Sequence, residues 1–222
     1  MNNLEKNIKA FCSWSGGKDC CFALFQAMEK GYDICSLLCM LTEDKYRSRS
    51  HGLSKDLIEL QAGSLQIPIE FGAATWNDYE DVFLEILEKL HKNEFYHGVF
   101  GDIDVENNRK WVETVCQKSS IEAIIPLWQI DRTKLVIEFL NHGFKAMIVA
   151  VKKDIMNESW LGCTLNFDTI EKFQSLGIDI SGENGEYHTF VYDGPIFKKP
   201  INLGKKEIIE SNGYLFLNIY AK

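Results

Sequence analysis

The pattern that most constrains the fold is a repeated alternation of short apolar runs and amphipathic segments along residues 1–128. The apolar runs lie at residues 8–14, 34–41, 68–71, 97–101 and 123–127. Between them, apolar residues recur every three or four positions, which is the spacing of one helix face. Strands that alternate with helices are typical of a parallel sheet covered by crossover helices. The sequence therefore predicts a Rossmann-like α/β domain with a parallel sheet over residues 1–128.

Local signals predict where several helices begin or end. The first helix is predicted over residues 19–30, with Gly31 in the left-handed conformation that often follows a helix. Ser54 is expected to cap the second helix. In the third helix, Asn77 followed three residues later by Glu80 resembles a capping box.

Residues 129–222 predict a second, smaller α+β domain. Helices are predicted at 133–141 and 168–176, with a strand at 146–151 between them. Near the end, Asn212-Gly213 separates two apolar segments, and this dipeptide fits the tight turn of a β-hairpin. The sequence has no Pro- or Gly-rich linker between the two parts, so we expect them to pack tightly.

Charge and cysteine content argue against some classes of partner. The chain has 24 Lys and Arg against 32 Asp and Glu, a formal net charge of −8, which disfavours a nucleic-acid partner. Seven cysteines without a Cys-x-x-Cys pair predict neither a disulfide framework nor a zinc knuckle. The charged residues 1–6 and the lack of a long apolar run predict a cytoplasmic protein without a membrane partner. A homodimer is the prior expectation for a compact enzyme.

The strongest functional motif is Ser13-Trp14-Ser15-Gly16-Gly17-Lys18-Asp19-Cys20, where the first strand turns into the first helix. Open α/β sheets bind ligands at this place. The two glycines let the backbone approach a phosphate, Lys18 adds a positive charge, and Asp19 is suited to magnesium. Gly-Gly alone is explained by an ordinary turn, but the residues that follow in register favour a phosphate site. The residues predicted to hold a nucleotide are Ser13, Ser15, Gly16, Gly17, Lys18, Asp19 and Cys20.

A second unusual stretch, residues 181–195, is broken by glycines and carries two carboxylates, Glu183 and Glu186. Carboxylates three positions apart, beside Tyr187 and Thr189, are suited to magnesium, a cationic substrate or ammonia. A turn with two solvated glutamates is the simpler explanation of these residues taken alone.

Other candidate residues have competing interpretations. Asp102 follows the fourth strand at the edge that carries the glycine loop. There it could face the α-phosphate, bind magnesium or accept a proton from ammonium. The alternative is that it caps the next helix. Arg109 and Glu113 form either an exposed ion pair or a substrate contact. His51 is interpreted as an incidental surface or packing residue. The tryptophans predicted in the core or at a domain interface are Trp76, Trp111, Trp128 and Trp160.

The glycine loop differs from Gly-x-x-x-x-Gly-Lys-[Ser/Thr] and resembles the Ser-Gly-Gly-x-Asp-Ser loop of the PP-loop ATP pyrophosphatases, with Cys20 in place of the last serine. A thiol is a weaker hydrogen-bond donor than a hydroxyl. Within that superfamily, essentially the whole chain resembles the diphthine-ammonia ligase family. The matching segments are 15–19, 101–103 with Arg109 and 112–116, 126–128 with 143–146, and 183–190. Asn184 and Cys163 depart from the family's usual glycine and arginine, which bears on the acceptor substrate.

This resemblance implies ATP-dependent amide formation, in which ATP activates a carboxylate as an acyl-adenylate, pyrophosphate leaves, and ammonia displaces AMP. It implies magnesium held by Asp19, and Leu41 beside the adenine. The catalytic residues it implies are Lys18, Asp19, Asp102 and Glu186. The acceptor is expected to contact Gly101, Asp102, Glu183, Gly185, Glu186, Tyr187 and Thr189. That acceptor is diphthine on elongation factor 2, or a small-molecule acid if the source is a bacterium without this modification.

Two other functions stay open at this point. A PP-loop sulfur transferase acting on tRNA would need a Cys-x-x-Cys or paired catalytic cysteines and a basic face, and the sequence offers neither. A protein that binds ATP or AMP without turnover is the second alternative. The presence of Lys18 with both Glu183 and Glu186 argues against it.

Overall fold

The computed structural model describes residues 8–49 and 51–222. Nine strands and six α-helices form within these residues. The strands are β1 (Ile8–Ser13), β2 (Tyr32–Leu41), β3 (Ile69–Ala73), β4 (His97–Val99), β5 (Glu122–Ile124), β6 (Lys145–Lys152), β7 (Tyr187–Asp193), β8 (Leu203–Ser211) and β9 (Tyr214–Ala221). The helices are α1 (Lys18–Glu29), α2 (Lys55–Leu65), α3 (Tyr79–Lys92), α4 (Glu106–Lys118), α5 (Arg132–Asn141) and α6 (Phe167–Ser175).

The first five strands form one parallel sheet in the order β3-β2-β1-β4-β5. Successive crossovers run from β1 outward to β3 and then return to β4, on the other side of β1. The strand order therefore reverses between β1 and β4, and such a reversal opens a crevice at the carboxyl edge of the sheet. The predicted Rossmann-like α/β fold is confirmed.

The second sheet is antiparallel, with the order β7-β6-β9-β8. The hairpin between β8 and β9 turns at Asn212 and Gly213, whose φ angles are 50° and 79°. Both residues are left-handed, as the tight turn predicted from Asn-Gly requires. The smaller α+β part predicted for the end of the chain is thus confirmed.

The parallel sheet is covered on both faces by apolar side chains. On one face, α1 and α2 pack together with the second sheet in a single core that includes Phe22, Ile58 and Phe190. On the opposite face, α3 and α4 cover a separate core that includes Phe83 and Val115. Because both parts of the chain share the first core, they pack tightly, as expected from the lack of a linker.

The predicted serine cap of α2 and the predicted ends of two strands are wrong. Ser54 directly precedes α2, but its side chain makes no cap hydrogen bond. The fourth and fifth strands end at Val99 and Ile124, earlier than their apolar runs indicate. The runs continue because residues beyond the sheet remain buried, including Phe100 and Leu127. Apolar character therefore extends past the hydrogen-bonded strands.

The predicted capping box of α3 is also wrong. Asp78 and not Asn77 precedes this helix, and Asp78 makes no cap hydrogen bond to it. The Glu80 carboxylate instead accepts hydrogen bonds from Trp111 Nε1 at 3.0 Å and Lys118 Nζ at 2.7 Å. These partners on α4 draw the glutamate away from the start of its own helix.

No helix within residues 8–49 and 51–222 combines the length and apolar character needed to cross a bilayer.

Candidate functional site

A cavity of about 210 Å³ lies at the carboxyl ends of β1, β2 and β4. It occupies the crevice created by the reversal of strand order. The predicted site residues that line it are Ser13, Ser15, Asp19, Cys20, Gly101 and Asp102. The structure therefore brings the glycine loop and the end of β4 to one cavity.

The surroundings of the loop glycines leave little room for a side chain. Gly16 has a φ of 83°, in the left-handed region that favours glycine. A Cβ added to Gly17 would lie 2.2 Å from Cε1 of His51, so a larger residue would displace the loop or the histidine. A Cβ added to Gly101 would lie 2.8 Å from the backbone nitrogen of Cys20. The end of β4 thus approaches the start of α1 closely because Gly101 has no side chain.

Lys18 begins α1 and is only 5% exposed. Its ammonium lies 2.8 Å from both carboxylate oxygens of Asp19, whose side chain is 30% exposed. Its backbone N–H donates to Thr189 Oγ1 at 3.0 Å, and the Tyr187 ring centroid lies 5.9 Å from the ammonium. Asp19 therefore balances a nearly buried positive charge, and an anion entering the loop would compete with it for that charge.

Gln61 joins the glycine loop to the second sheet. It is fully buried, and its Oε1 accepts a hydrogen bond from Trp14 Nε1 at 2.7 Å. Its Nε2 donates to the carbonyl of Gly16 at 3.0 Å and to the carbonyl of Val191 at 2.6 Å. The backbone N–H of Val191 also donates to the Gly16 carbonyl at 3.0 Å. The loop is therefore held between one helix residue and strand β7.

Cys20, which stands where related loops have serine, is buried beside the loop. Its sulfur lies 3.4 Å from the backbone N–H and 3.3 Å from the hydroxyl of Ser15, and the thiol donates to the Gly17 carbonyl. Burial raises the pKa of the Cys20 thiol, although the hydrogen bonds from Ser15 oppose this. The residue therefore stays a thiol at neutral pH and helps to shape the loop.

Three carboxylates gather near the loop: Asp19, Asp102 and Glu183. Burial and then the charge of Asp19 raise the pKa of Asp102, against a hydrogen bond from Asn108. Burial and then the charge of Asp19 also raise the pKa of Glu183 to about 7, although Lys18 opposes the shift. Glu183 therefore changes its protonation near neutral pH.

Glu186 is buried and turned toward its own loop. Its two carboxylate oxygens accept from the backbone N–H and from Nδ2 of Asn184, both at 3.1 Å. Asn184 Nδ2 also lies 3.4 Å from Asp179, and Arg132 pairs with both Asp179 and Asp104. Asn184, the departure from the family pattern, thus ties Glu186 to a charged network. The turn interpretation expects a solvated Glu186, whereas this carboxylate is buried and hydrogen-bonded within its own segment.

Gly185 and Tyr187 also make hydrogen bonds to other parts of the protein. The Gly185 carbonyl accepts from the Tyr214 hydroxyl at 2.8 Å, and Gly185 has a φ of 81°. The Tyr187 hydroxyl donates to the Ile180 carbonyl at 2.5 Å. Both contacts support the shape of the loop that carries Glu183.

His51, interpreted from the sequence as an incidental surface or packing residue, packs against His188 and lies on the cavity. Its Nδ1 is 3.0 Å from the Thr189 carbonyl, and its ring centroid is 4.7 Å from that of His188. Burial lowers the pKa of His51 to about 4 and the pKa of His188 to about 3. Both rings are therefore neutral at neutral pH. Their partners are remote in sequence, so no local pattern signals this contact.

Leu41, expected beside an adenine, is packed in the core, and Cys39 and Met40 before it line the cavity. The contact of Leu41 with a base stays a prediction, whereas the placement of one tryptophan is wrong. Trp76, expected in the core or at an interface, is 74% exposed. The Arg49 guanidinium carbon lies 4.5 Å from its ring centroid, which gives the indole a contact at the surface.

Arg109 and Glu113 form an ion pair at 2.7 Å on the surface of α4. The Arg109 guanidinium carbon also lies 4.9 Å from the centroid of the Trp128 ring. This arrangement matches the ion-pair interpretation of these residues.

The fit of a magnesium ion can be judged from the donor atoms. Within the described part of the chain, no group of three or more His, Cys, Asp or Glu side chains is placed to hold a metal by protein ligands alone. Magnesium in phosphate-transfer sites usually takes one or two carboxylates, while substrate phosphates and water supply the remaining ligands. Asp19 and Asp102 line one cavity beside the glycine loop, so the residues fit a site of this second kind.

The fold and the cavity together define an α/β protein with a glycine loop and a helix N-terminus at the switch point of a parallel sheet, the usual ligand site of such sheets. The diphthamide synthase N-terminal domain matches residues 8–123, and the diphthamide synthase C-terminal domain matches residues 131–222. The chain therefore belongs to the diphthamide synthase family, and the family resemblance is confirmed.

Curated relatives carry the name diphthine–ammonia ligase. The Danio rerio protein is 27% identical over 88% of this chain and 86% of its own length, and the Homo sapiens protein is 27% identical over 88% and 82%. The Schizosaccharomyces pombe protein is 30% identical over 88% of this chain and 36% of its own length. A solved Methanocaldococcus jannaschii chain, described as a "predicted subunit of tRNA methyltransferase", superposes with a TM-score of 0.46 at 16% identity, covering 87% of this chain and 100% of that chain.

Proposed function

We propose that the protein is an ATP-dependent amide ligase that activates a carboxylate as an acyl-adenylate and transfers ammonia to it, as the name of its relatives describes. The observation that carries the proposal is the meeting of Asp19 and Asp102 at one cavity with the N-terminus of α1. Carboxylates can hold magnesium beside substrate phosphates, and a helix N-terminus can bind phosphate, so the two features together suit the binding of ATP. Family membership supports the same reaction.

ATP is proposed to bind with its phosphates at the glycine loop. The N-terminus of α1 and the ammonium of Lys18 would stabilise the charge on the pyrophosphate as it leaves. Asp19 and Asp102 would hold magnesium, which supplies further positive charge beside the phosphates when it is bound. Cys39 and Met40, which line the cavity, and Leu41 at the end of β2 would lie beside the base.

The proposed chemistry has two steps. A carboxylate oxygen of the acceptor attacks the α-phosphorus of ATP, the bond from that phosphorus to the bridging oxygen breaks, and pyrophosphate leaves. The nitrogen lone pair of ammonia then attacks the acyl carbon, the carbon–oxygen bond to AMP breaks, and the nitrogen loses a proton as the amide forms. No protein nucleophile takes part, so positioning and charge stabilisation supply the catalysis.

Glu183 is proposed to accept the proton that converts ammonium to ammonia. Burial and the charge of Asp19 raise its pKa to about 7, so it exchanges a proton near neutral pH. Its proximity to Asp19 and Lys18 places it beside the loop. Glu186 is proposed to act by holding this segment through Asn184.

The two parts of the chain are proposed to divide these tasks. Residues 1–128 would hold ATP, and residues 129–222 would supply the segment that faces the acceptor. The acceptor is proposed to be diphthine on elongation factor 2, or a small-molecule acid if the source lacks that modification. The cytoplasmic location and the homodimer stay predictions.

A sulfur transferase acting on tRNA is less well supported. Cys20 and Cys39 line the cavity, but burial raises the pKa of both thiols. A protonated thiol is a poor nucleophile, so the cavity does not favour a persulfide carrier. A protein that binds ATP without turnover has no specific observation in its favour.

The reaction can be tested with ATP labelled at the α-phosphate. Incubation with diphthine-bearing elongation factor 2, and then with small carboxylic acids, should give labelled AMP only when acceptor and ammonium are both present. The rate should rise as pH approaches the pKa of ammonium, because only neutral ammonia carries the attacking lone pair. Formation of ADP would overturn the proposal. A requirement for sulfide in place of ammonium would indicate a sulfur transferase.

A further inference from the structure

The start of α5 carries an arginine that the chemistry proposed above does not use. Arg132 is the first residue of this helix, directly after Asp131, whose carboxylate caps the helix by accepting from the Lys134 backbone N–H at 2.9 Å. The chain before the helix is also held, since the Gln129 backbone N–H donates to the Ile103 carbonyl at 2.7 Å. The backbone of Arg132 therefore has a defined position beside the segment that follows β4.

The guanidinium of Arg132 binds one carboxylate through two parallel hydrogen bonds. Its Nε lies 2.6 Å from Oδ2 of Asp104, and its Nη2 lies 2.8 Å from Oδ1 of the same residue. Such a fork fixes the plane of the guanidinium as well as its distance from the carboxylate. Asp104 stands two residues after Asp102, in the segment that leads from β4 to α4. Arg132 is therefore attached to the part of the chain that carries Asp102.

The remaining nitrogen of Arg132 faces the acidic segment, which we define as residues 179–186. Nη1 pairs with Asp179 and lies 3.5 Å from Oδ1 of Asn184. Within the segment, Asp179 Oδ1 accepts from the backbone N–H and from the hydroxyl of Ser181, both at 3.0 Å. Asn184 in turn donates to the carboxylate of Glu186. The acidic segment is thus hydrogen-bonded as a unit, and Arg132 contacts it at two points.

The charges around Arg132 make this contact necessary. Asp104 and Asp179 both bind the one guanidinium, and the Asp179 side chain is only 12% exposed. Carboxylates that share a counter-ion repel each other when that ion is removed. Burial raises the pKa of Glu183, and the charge of Arg132 is among the influences that oppose this rise. The guanidinium therefore lies within electrostatic reach of Glu183 as well.

We propose that Arg132 is a positioning residue, which holds the acidic segment against the segment after β4 so that Glu183 and Asp102 keep a fixed separation. The inference rests on the proposed function in taking Glu183 as the proton acceptor for ammonium. A guanidinium is required, because its fork to Asp104 leaves a further nitrogen for Asp179, whereas an ammonium is a single point of charge. A shift of the acidic segment by about 1 Å would slow the reaction by about a hundredfold.

The first test measures the reaction in two variants, Arg132→Ala and Arg132→Lys. Both should keep the parent's ATP affinity in calorimetry, and both should lower kcat for ammonium-dependent AMP formation on diphthine-bearing elongation factor 2 by about tenfold to a hundredfold. Millimolar guanidinium chloride should raise the rate of Arg132→Ala several-fold, and the same concentration of sodium chloride should not. A parental rate in Arg132→Lys would overturn the inference, because charge without the fork would then suffice.

Amide hydrogen exchange of the full chain tests the holding of the segment without any turnover. Arg132→Ala should speed exchange within residues 181–186 by about tenfold, the effect of losing one charged hydrogen bond, while exchange in β6 stays at the parent's rate and shows that the fold is kept. The matched control is Lys153→Ala, which removes an ion pair of 2.8 Å with Glu210 and should change neither the rate nor this exchange. Unchanged exchange in the acidic segment of Arg132→Ala would overturn the inference.

The two proposals fail separately. A parent chain that forms no AMP would refute the ligase reaction, and the exchange measurement would then decide whether Arg132 holds the acidic segment. If the parent forms AMP and Arg132→Ala combines faster exchange with an unchanged rate, the positioning role is refuted and the ligase reaction stands.

Discussion

Replacing Gln61 by leucine tests whether the glycine loop depends on the second sheet for its shape. Leucine has a similar size but can make none of the three hydrogen bonds that Gln61 makes to Trp14, Gly16 and Val191. The Gly16 carbonyl would keep its bond from the Val191 N–H. The Trp14 indole N–H and the Val191 carbonyl would each lose a partner in a place where Gln61 is fully buried.

The magnitude follows from these two groups. A buried polar group left without a partner costs about 1–3 kcal/mol, so two such groups cost about 2–6 kcal/mol of unfolding free energy. For a chain of this size, about 1 kcal/mol shifts the melting temperature by about 2–4 °C. Gln61→Leu should therefore lower the melting temperature by about 4 °C or more. It should also weaken ATP binding, because the Gly16 carbonyl loses one of its two anchors.

Thermal and urea denaturation measure the first effect, and calorimetry with ATP measures the second. The control is Gln117→Leu, an exposed glutamine on α4, for which a change within about 0.5 kcal/mol is expected. Trp14→Phe combined with Gln61→Leu should cost less than the sum of the two single changes, because both partners of one hydrogen bond are then removed. A melting temperature and ATP affinity equal to the parent's would refute the role assigned to Gln61.

Three further predictions concern charge. Lys18→Ala should weaken ATP binding by about tenfold to a hundredfold, which is the range for a charge-assisted contact. The control Lys172→Ala, at an exposed position on α6, should leave the ATP affinity unchanged, and calorimetry measures the affinity of both variants. The pKa of Glu183 is raised from 4.5 to about 7, so its ionisation destabilises the fold as pH rises through that range. Glu183→Gln should therefore have a larger free energy of unfolding than the parent at about pH 8. Urea titrations should show that this difference shrinks toward about pH 5. The pKa values of His51 and His188 are lowered from 6.5 to about 4 and about 3, so stability should fall as pH drops below about 6.5, and His51→Gln with His188→Gln should flatten that fall; an unchanged slope would contradict it.

The parallel sheet was predictable because its signals are local. Each strand is a short apolar run, and each crossover helix shows its own periodicity, so no knowledge of distant contacts is needed. The hairpin at Asn212-Gly213 was predictable for the same reason, since two adjacent residues set the turn. The capping box at Asn77 failed because Glu80 had competing partners on α4, which a local pattern cannot reveal.

The residues around the loop were only partly predictable. The loop itself has a recognisable sequence, but His51 and Gln61 owe their positions to β7, whose residues lie far along the chain. Gln61 did leave one signal, because it is a polar residue among the apolar positions of the α2 face. If a glutamine in such a stripe is buried, its amide is expected to have hydrogen-bond partners. The prediction that Trp76 is buried failed because the sequence around it does not show that Arg49 stacks on its ring at the surface.

Strand β7 explains why the loop and the acidic segment behave as one site. Two residues of this strand contact the glycine loop: the Thr189 hydroxyl accepts from the Lys18 backbone N–H, and the Val191 backbone N–H donates to the Gly16 carbonyl. The segment that carries Glu183 leads directly into this strand, which begins at Tyr187. Any shift of β7 along its axis would therefore move Glu183 and the anchors of Gly16 together. The separation between the proposed proton acceptor and the phosphate loop is thus tied to the position of this one strand, which contacts the loop directly.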